Sequence, residues 1–217
     1  MKSLPPSGPI RKLVIGLVGG MGSGKSEVAG LFAQRGAKVV SGDQAGHEAL
    51  RQPEVRARVI KRWGPELVTK EGEINRGKLA AIVFGNEAER KALEALVFPW
   101  IERRLRQQIA QARADPDVPL VVLDAAIMLE AGWHDECDRL IYIDAPRELR
   151  LARLNEKRGW KAKEVEEREK AQWSLNDKRD RADDVLDNSG SLESLARQVD
   201  QLLRQWGIVL CNQRPNE

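Results

Sequence analysis

Residues 13–18, Leu-Val-Ile-Gly-Leu-Val, carry no polar side chain. A strand with one wet face alternates apolar and polar positions, so an unbroken apolar run predicts a strand covered on both faces, in the middle of a parallel sheet. Shorter, largely apolar runs recur at 37–40, 120–123 and 140–143, and the stretches between them show helical periodicity. Strand and helix in alternation predict an α/β fold on a doubly wound parallel sheet.

Two segments are too long or too charged to be simple crossovers. The helical stretch 54–113, broken at Gly64-Pro65 and at Glu71-Gly72-Glu73, far exceeds the dozen or so residues a crossover needs, and predicts a helical lobe beside the sheet. The second segment, 147–181, is dense in Arg, Lys and Glu. It reads as an insertion near the site or as a solvated helix pair laced by charges one turn apart. The residues Val185-Leu186-Asp187-Asn188-Ser189-Gly190-Ser191 predict a last strand, a turn and a helix cap, followed by an amphipathic helix over 192–206. The chain thus divides into a flexible tail over 1–12, one domain over 13–206 carrying both insertions, and a second tail over 207–217.

Composition narrows the class without changing this picture. With 41% hydrophobic and 32% charged residues the chain reads as globular and soluble. Its 36 basic and 33 acidic residues are interleaved, which offers no broad positive field for a nucleic-acid backbone. No run is long and apolar enough for a membrane span or a signal peptide, so no membrane partner and a cytoplasmic location are expected. Cys137, Cys211, His47 and His134 match no metal-ligand spacing and read as structural or incidental.

The chemistry begins where the first strand ends. Gly19-Gly20-Met21-Gly22-Ser23-Gly24-Lys25-Ser26 satisfies the pattern of a phosphate-binding P-loop, with an apolar strand before it and a helix-prone run after it. Glycines let backbone N–H groups wrap a polyphosphate, and the helix N-terminus adds its positive dipole. Gly20, Met21, Gly22, Ser23 and Gly24 would cradle ATP, Lys25 would reach the β- and γ-phosphates, and the Ser26 hydroxyl would ligate Mg²⁺. Asp43-Gln44-Ala45-Gly46 has the D-x-x-G spacing of GTPases, but no Asn-Lys-x-Asp guanine reader follows it. Its place after the second strand instead resembles nucleoside monophosphate kinases, where that strand end faces the phosphate acceptor. Asp43 is then either the base that takes the acceptor's proton or the cap of a helix beginning near Ala45.

Further segments carry a more specific resemblance. They are Glu73-Ile74-Asn75-Arg76-x-x-Leu79 with Val83-Phe84, Leu123-Asp124, Leu129-Glu130-Ala131-Gly132, and Lys178-Arg179-x-Arg181-Ala182-Asp183-x-Val185-Leu186-Asp187-Asn188-Ser189-Gly190. In this order, after the P-loop, they resemble the dephospho-CoA kinase family from about residue 13 to 203. The resemblance implies a P-loop kinase core, a helical acceptor lobe at 54–113 and a lid at 147–181. It also implies phosphorylation of the ribose 3′-hydroxyl of dephospho-CoA by ATP with Mg²⁺. The family's catalytic Asp falls on Asp43. Asp124 resembles a carboxylate holding Mg²⁺ through water, or caps a helix. Arg153, Lys157 and Arg158 resemble lid cations that meet the transferred phosphoryl group, or are surface charges, and Arg76 faces the acceptor. The chain departs from the family where Ser41 replaces the first Asp of D-x-D, Phe98 the His of His-Pro, Ala126 a Pro, and Lys157 the lid Arg. A kinase of another small alcohol or nucleotide, or a P-loop switch acting on a protein partner, stays open on the residues, as does the oligomeric state.

Overall fold

The computed structural model describes residues 12–208. Apart from Lys12, Gly207 and Ile208, the expected tails lie outside the described residues, as does Cys211. Two compact units divide the chain: Ser41–Gln107 forms one, and the chain up to Val40 and from Gln108 forms the other.

The discontinuous unit holds the sheet. Its strands are β1 (Val14–Gly19), β2 (Lys38–Ser41, which runs to the unit boundary), β3 (Val121–Asp124), β4 (Arg139–Asp144) and β5 (Asp184–Asp187), in the order β2-β3-β1-β4-β5. β1 pairs in parallel with both β3 and β4, and β4 pairs in parallel with β5. Every residue of β1 is buried, as its unbroken apolar run predicts. The helices α1 (Lys25–Ala33) and α9 (Leu192–Gln205) supply Val28, Phe32, Leu195, Val199 and Leu203 to a core shared with Ile15, Leu17, Ile141, Ile143 and Leu186. Each such side chain contributes on the order of 1.5–3 kcal/mol on burial. Trp206 stacks on Phe32 with ring centroids 6.5 Å apart, closing the end of that core.

The segment 147–181 belongs to the same unit and forms three helices rather than the expected pair: α6 (Arg147–Arg158), α7 (Ala162–Glu169) and α8 (Leu175–Asp180). Gly159, left-handed at φ 67°, ends α6. Ser174 starts α8 by accepting from the Asp177 N–H.

The continuous unit is helical. It contains α2 (Gly42–Arg51), α3 (Pro53–Trp63), α4 (Arg76–Phe84) and most of α5 (Glu87–Ala114). Spacing by four residues puts Val55, Val59 and Trp63 on one face of α3 and Val97, Ile101 and Leu105 on one face of α5, and all six are buried. Trp63 Nε1 donates to Glu89 at 2.7 Å and Arg62 pairs with the same carboxylate, which fastens α3 to α5. Pro99 falls inside α5 on its exposed side.

Candidate active site

The loop between β1 and α1 is shaped by glycines that adopt left-handed backbone angles, Gly22 at φ 76° and Gly24 at φ 95°. Gly24 is also the N-cap of α1, so the first free N–H groups of that helix open onto the loop. Lys25 folds over its own loop and donates to the Gly19 and Gly20 carbonyls, each at 3.1 Å. Ser23 is 1% exposed, and its Oγ has no hydrogen-bond partner among the described residues. It packs beneath the loop beside Gly19, where a Cβ on Gly19 would come within 2.9 Å of that hydroxyl and 2.7 Å of the Ile143 carbonyl oxygen, so only glycine fits there.

Across the loop, Ser26 Oγ donates to Asp124 Oδ2 at 3.0 Å, bringing the first turn of α1 to the end of β3. No α-helix starts after Asp124, since the chain passes through turns to a 3₁₀ segment at Trp133–Glu136, so the helix-cap alternative for Asp124 does not apply. A hydroxyl and a carboxylate side by side are hard oxygen donors, and with phosphate oxygens and water they fit a Mg²⁺ ion, which prefers few protein ligands. Gly19, Lys25, Ala125, Ala126, Glu130 and Lys178 line a small cleft at this point.

Two basic side chains here escape sequence reasoning because they sit among many other charges. Lys178 is 3% exposed, donates to Gln172 Oε1 at 2.9 Å and pairs with Glu130 at 3.4 Å. Arg150 is 4% exposed and reaches the Met21 carbonyl. The only signal for Lys178 is its place in the Lys178-Arg179-x-Arg181 segment. Nothing in the sequence distinguishes Arg150 from its neighbours.

The three expected lid cations part company. Arg153 lies against the loop, with Nη1 3.5 Å from the Ser23 carbonyl and Nη2 3.1 Å from the Asn188 carbonyl. Lys157 and Arg158 are exposed in the last turn of α6, where Arg158 stands over the Trp160 ring at 4.8 Å.

Asp43 and Arg76 belong to the helical unit. Asp43 is in the first turn of α2, exposed, and makes no hydrogen bond or ion pair among the described residues. The cap is Ser41, whose hydroxyl accepts from the Gln44 N–H at 3.2 Å. α2 therefore begins at Gly42, earlier than the expected start near Ala45, and the cap reading of Asp43 gives way. Arg76 opens α4, capped by Asn75, and its guanidinium meets His47 Nε2.

Residues 13–194 match the sequence profile of the dephospho-CoA kinase family. A dephospho-CoA kinase of Bacillus licheniformis is 40% identical over 199 residues, covering 91% of this chain and 98% of the relative. One of Geobacillus kaustophilus is 36% identical over 198 residues with the same coverage. Among solved structures, the crystal structure of TT1252 from Thermus thermophilus superposes with a TM-score of 0.74 at 35% identity, over 90% of this chain and 98% of that one.

Proposed function

The chain belongs to the dephospho-CoA kinase family, and from that premise we propose how its residues divide the transfer of a phosphoryl group from ATP to the ribose 3′-hydroxyl of dephospho-CoA. The reaction yields coenzyme A and ADP, the last step of coenzyme A synthesis. The glycine loop with Lys25 folded back on it carries this reading, because it supplies backbone donors for a polyphosphate and a cation beside them.

In the bound state Gly20, Met21, Gly22, Ser23 and Gly24 cradle the phosphates of ATP, and Lys25 exchanges its own loop's carbonyls for the β- and γ-phosphate oxygens. Ser26 and Asp124 would hold a Mg²⁺ ion, which neutralises phosphate charge when bound. Asp43 takes the proton of the attacking 3′-hydroxyl while the bond from the γ-phosphorus to the bridging oxygen of ADP breaks. Support comes from its exposure and its freedom from a capping role. The segment 147–181 serves as the lid, with Lys157 and Arg158 as the cations that meet the transferring group and Arg153 steadying the loop beneath. The lobe over 54–113 takes the acceptor, with Arg76 as a contact. The interleaved charges support a small-molecule substrate rather than a nucleic acid, and among the described residues no helix is long and apolar enough to cross a membrane. The supply of ATP supports a cytoplasmic setting.

A coupled ADP-release assay with dephospho-CoA, a nucleoside monophosphate or no acceptor tests the reading. Release that depends on dephospho-CoA is expected. Equal release without any acceptor would mark an ATPase and overturn it.

A further inference from the structure

A phosphate loop that turns its N–H groups toward the ligand leaves carbonyl oxygens facing away, and buried carbonyls need donors of their own. In this chain the donors come from α6 and from the residue after β5. Met21 O accepts from Arg150 Nη1 at 3.1 Å, and Ser23 O accepts from Asn188 Nδ2 at 2.8 Å and from Arg153 Nη1 at 3.5 Å. α6 stands directly behind the loop. A Cβ on Gly22 would lie 2.5 Å from the Arg150 carbonyl oxygen and 3.0 Å from Leu154 Cγ, and one on Gly20 would overlap the Arg150 guanidinium.

Arg150 does more than fill this space. The same Nη1 lies 2.6 Å from Glu169 Oε1, at the end of α7, and Glu169 also faces Arg147 at 3.7 Å. A guanidinium suits the task because it keeps its charge and its planar donors can serve a carbonyl and a carboxylate together. The residue it pins is telling. Met21 sits between Gly20 and Gly22, the stretch of loop with the most backbone freedom to lose when a nucleotide is gripped.

We propose that Arg150 is a positioning residue for the phosphate loop: it holds the Met21 carbonyl turned away from the nucleotide and couples the loop to α7 through Glu169. The proposal rests on the reading that this loop binds ATP. Arg150 touches no substrate in this role. It lowers the ordering that ATP binding would otherwise require, so its loss falls on nucleotide affinity and not on the acceptor.

The test uses Arg150→Met, which keeps the length of the stem without its donors, and the pair Arg150→Met/Glu169→Leu, which removes the carboxylate that the single change strands. Calorimetric titration with ATP and ADP, melting temperature, and steady-state KM and kcat are measured on each. The paired variant should melt near wild type, bind ATP and ADP about tenfold more weakly, and keep its KM for dephospho-CoA. Arg150→Lys, which restores one donor, should recover part of that affinity. A paired variant that binds ATP as wild type does overturns the inference, as does one that loses ATP and dephospho-CoA affinity together or does not fold. Wild-type protein that fails to bind ATP would sink the reading of the loop itself, a distinguishable result.

Discussion

Ser26 Oγ donates to Asp124 Oδ2 at 3.0 Å, so the residue after the loop lysine and the last residue of β3 are held side by side as a pair of oxygen-bearing groups. If that pair serves Mg²⁺, the two residues need not matter equally. A carboxylate lost from a position acting through water typically costs about 10- to 100-fold in metal affinity or activity, whereas water can replace a single hydroxyl ligand. Asp124→Asn should therefore shift the free Mg²⁺ needed for half-maximal activity further than Ser26→Ala. Titration of activity against Mg²⁺ at fixed ATP reads this, and two curves lying on the wild-type curve would remove the pair from metal binding.

Lys25→Ala should abolish turnover while the melting temperature holds. Its bonds to the Gly19 and Gly20 carbonyls lie within the loop and are replaceable by water, whereas the charge it brings to the phosphates is not. A loss of more than about 10²-fold in kcat is expected, in line with removal of a donor aimed at developing charge. Near-normal turnover in the folded variant would contradict the phosphate-loop assignment.

Asp43 and Ser41 can now be separated. Asp43→Asn should lower kcat by about 10²- to 10⁴-fold with ATP affinity nearly unchanged and little change in melting. Ser41→Ala removes the α2 cap and should cost about 0.5–2 kcal/mol of stability without a comparable loss of turnover. The reverse pattern, with Asp43→Asn melting low and working well, would leave Asp43 out of the chemistry.

Lys157→Ala and Arg158→Ala together should lower kcat more than they raise KM for dephospho-CoA, because lid cations act on charge that appears in the transition state. The single variants tell which side chain does it. Wild-type kinetics in the double variant would assign both to the solvated face of α6.

Burial, helped by the nearby Asp138 and Glu136 charges, pushes the Cys137 thiol up to about 12, against the opposing Arg113. Its ordinary value, which it would have in the unfolded chain, is 9.0. The neutral thiol therefore stabilises the fold fully below that lower value, and the contribution is lost as pH rises from there through the folded value. In a Cys211→Ser background, alkylation of the native protein at pH about 8 should be far slower than that of the unfolded chain. Melting temperature should fall more steeply with alkaline pH than in a further Cys137→Ala variant. Equal alkylation rates for the folded and unfolded chains would contradict it.

The sheet was readable in the sequence because residues 13–18 are apolar without a break, which only a doubly covered strand tolerates. The phosphate loop was readable because its chemistry demands glycines at fixed spacing. The start of α2 was harder: Ser41 stands out as a missing carboxylate of the family pattern, and that draws attention from its hydroxyl, which caps the helix. The segment 147–181 was hardest. Periodicity treats every charge as an outward position, yet Arg150 and Lys178 are buried while Lys157 on the same stretch is exposed. What separates them is a carbonyl or a carboxylate that tertiary structure brings near, and local sequence holds no trace of it.

The central place of β1 also dictates when the phosphate loop can come into being during synthesis. β1 leaves the ribosome ahead of its neighbours, but both strands that flank it lie beyond residue 120, with a helical unit made in between. Until β3 and then β4 have emerged, the loop's leading strand has two open edges and Ser26 has no Asp124 to meet. A nascent chain stalled before that point would carry the whole glycine motif and still lack a nucleotide site. A product truncated ahead of β3 would share that defect, so a release of such half-made chains would add aggregation-prone strands to the cell without a completed nucleotide site.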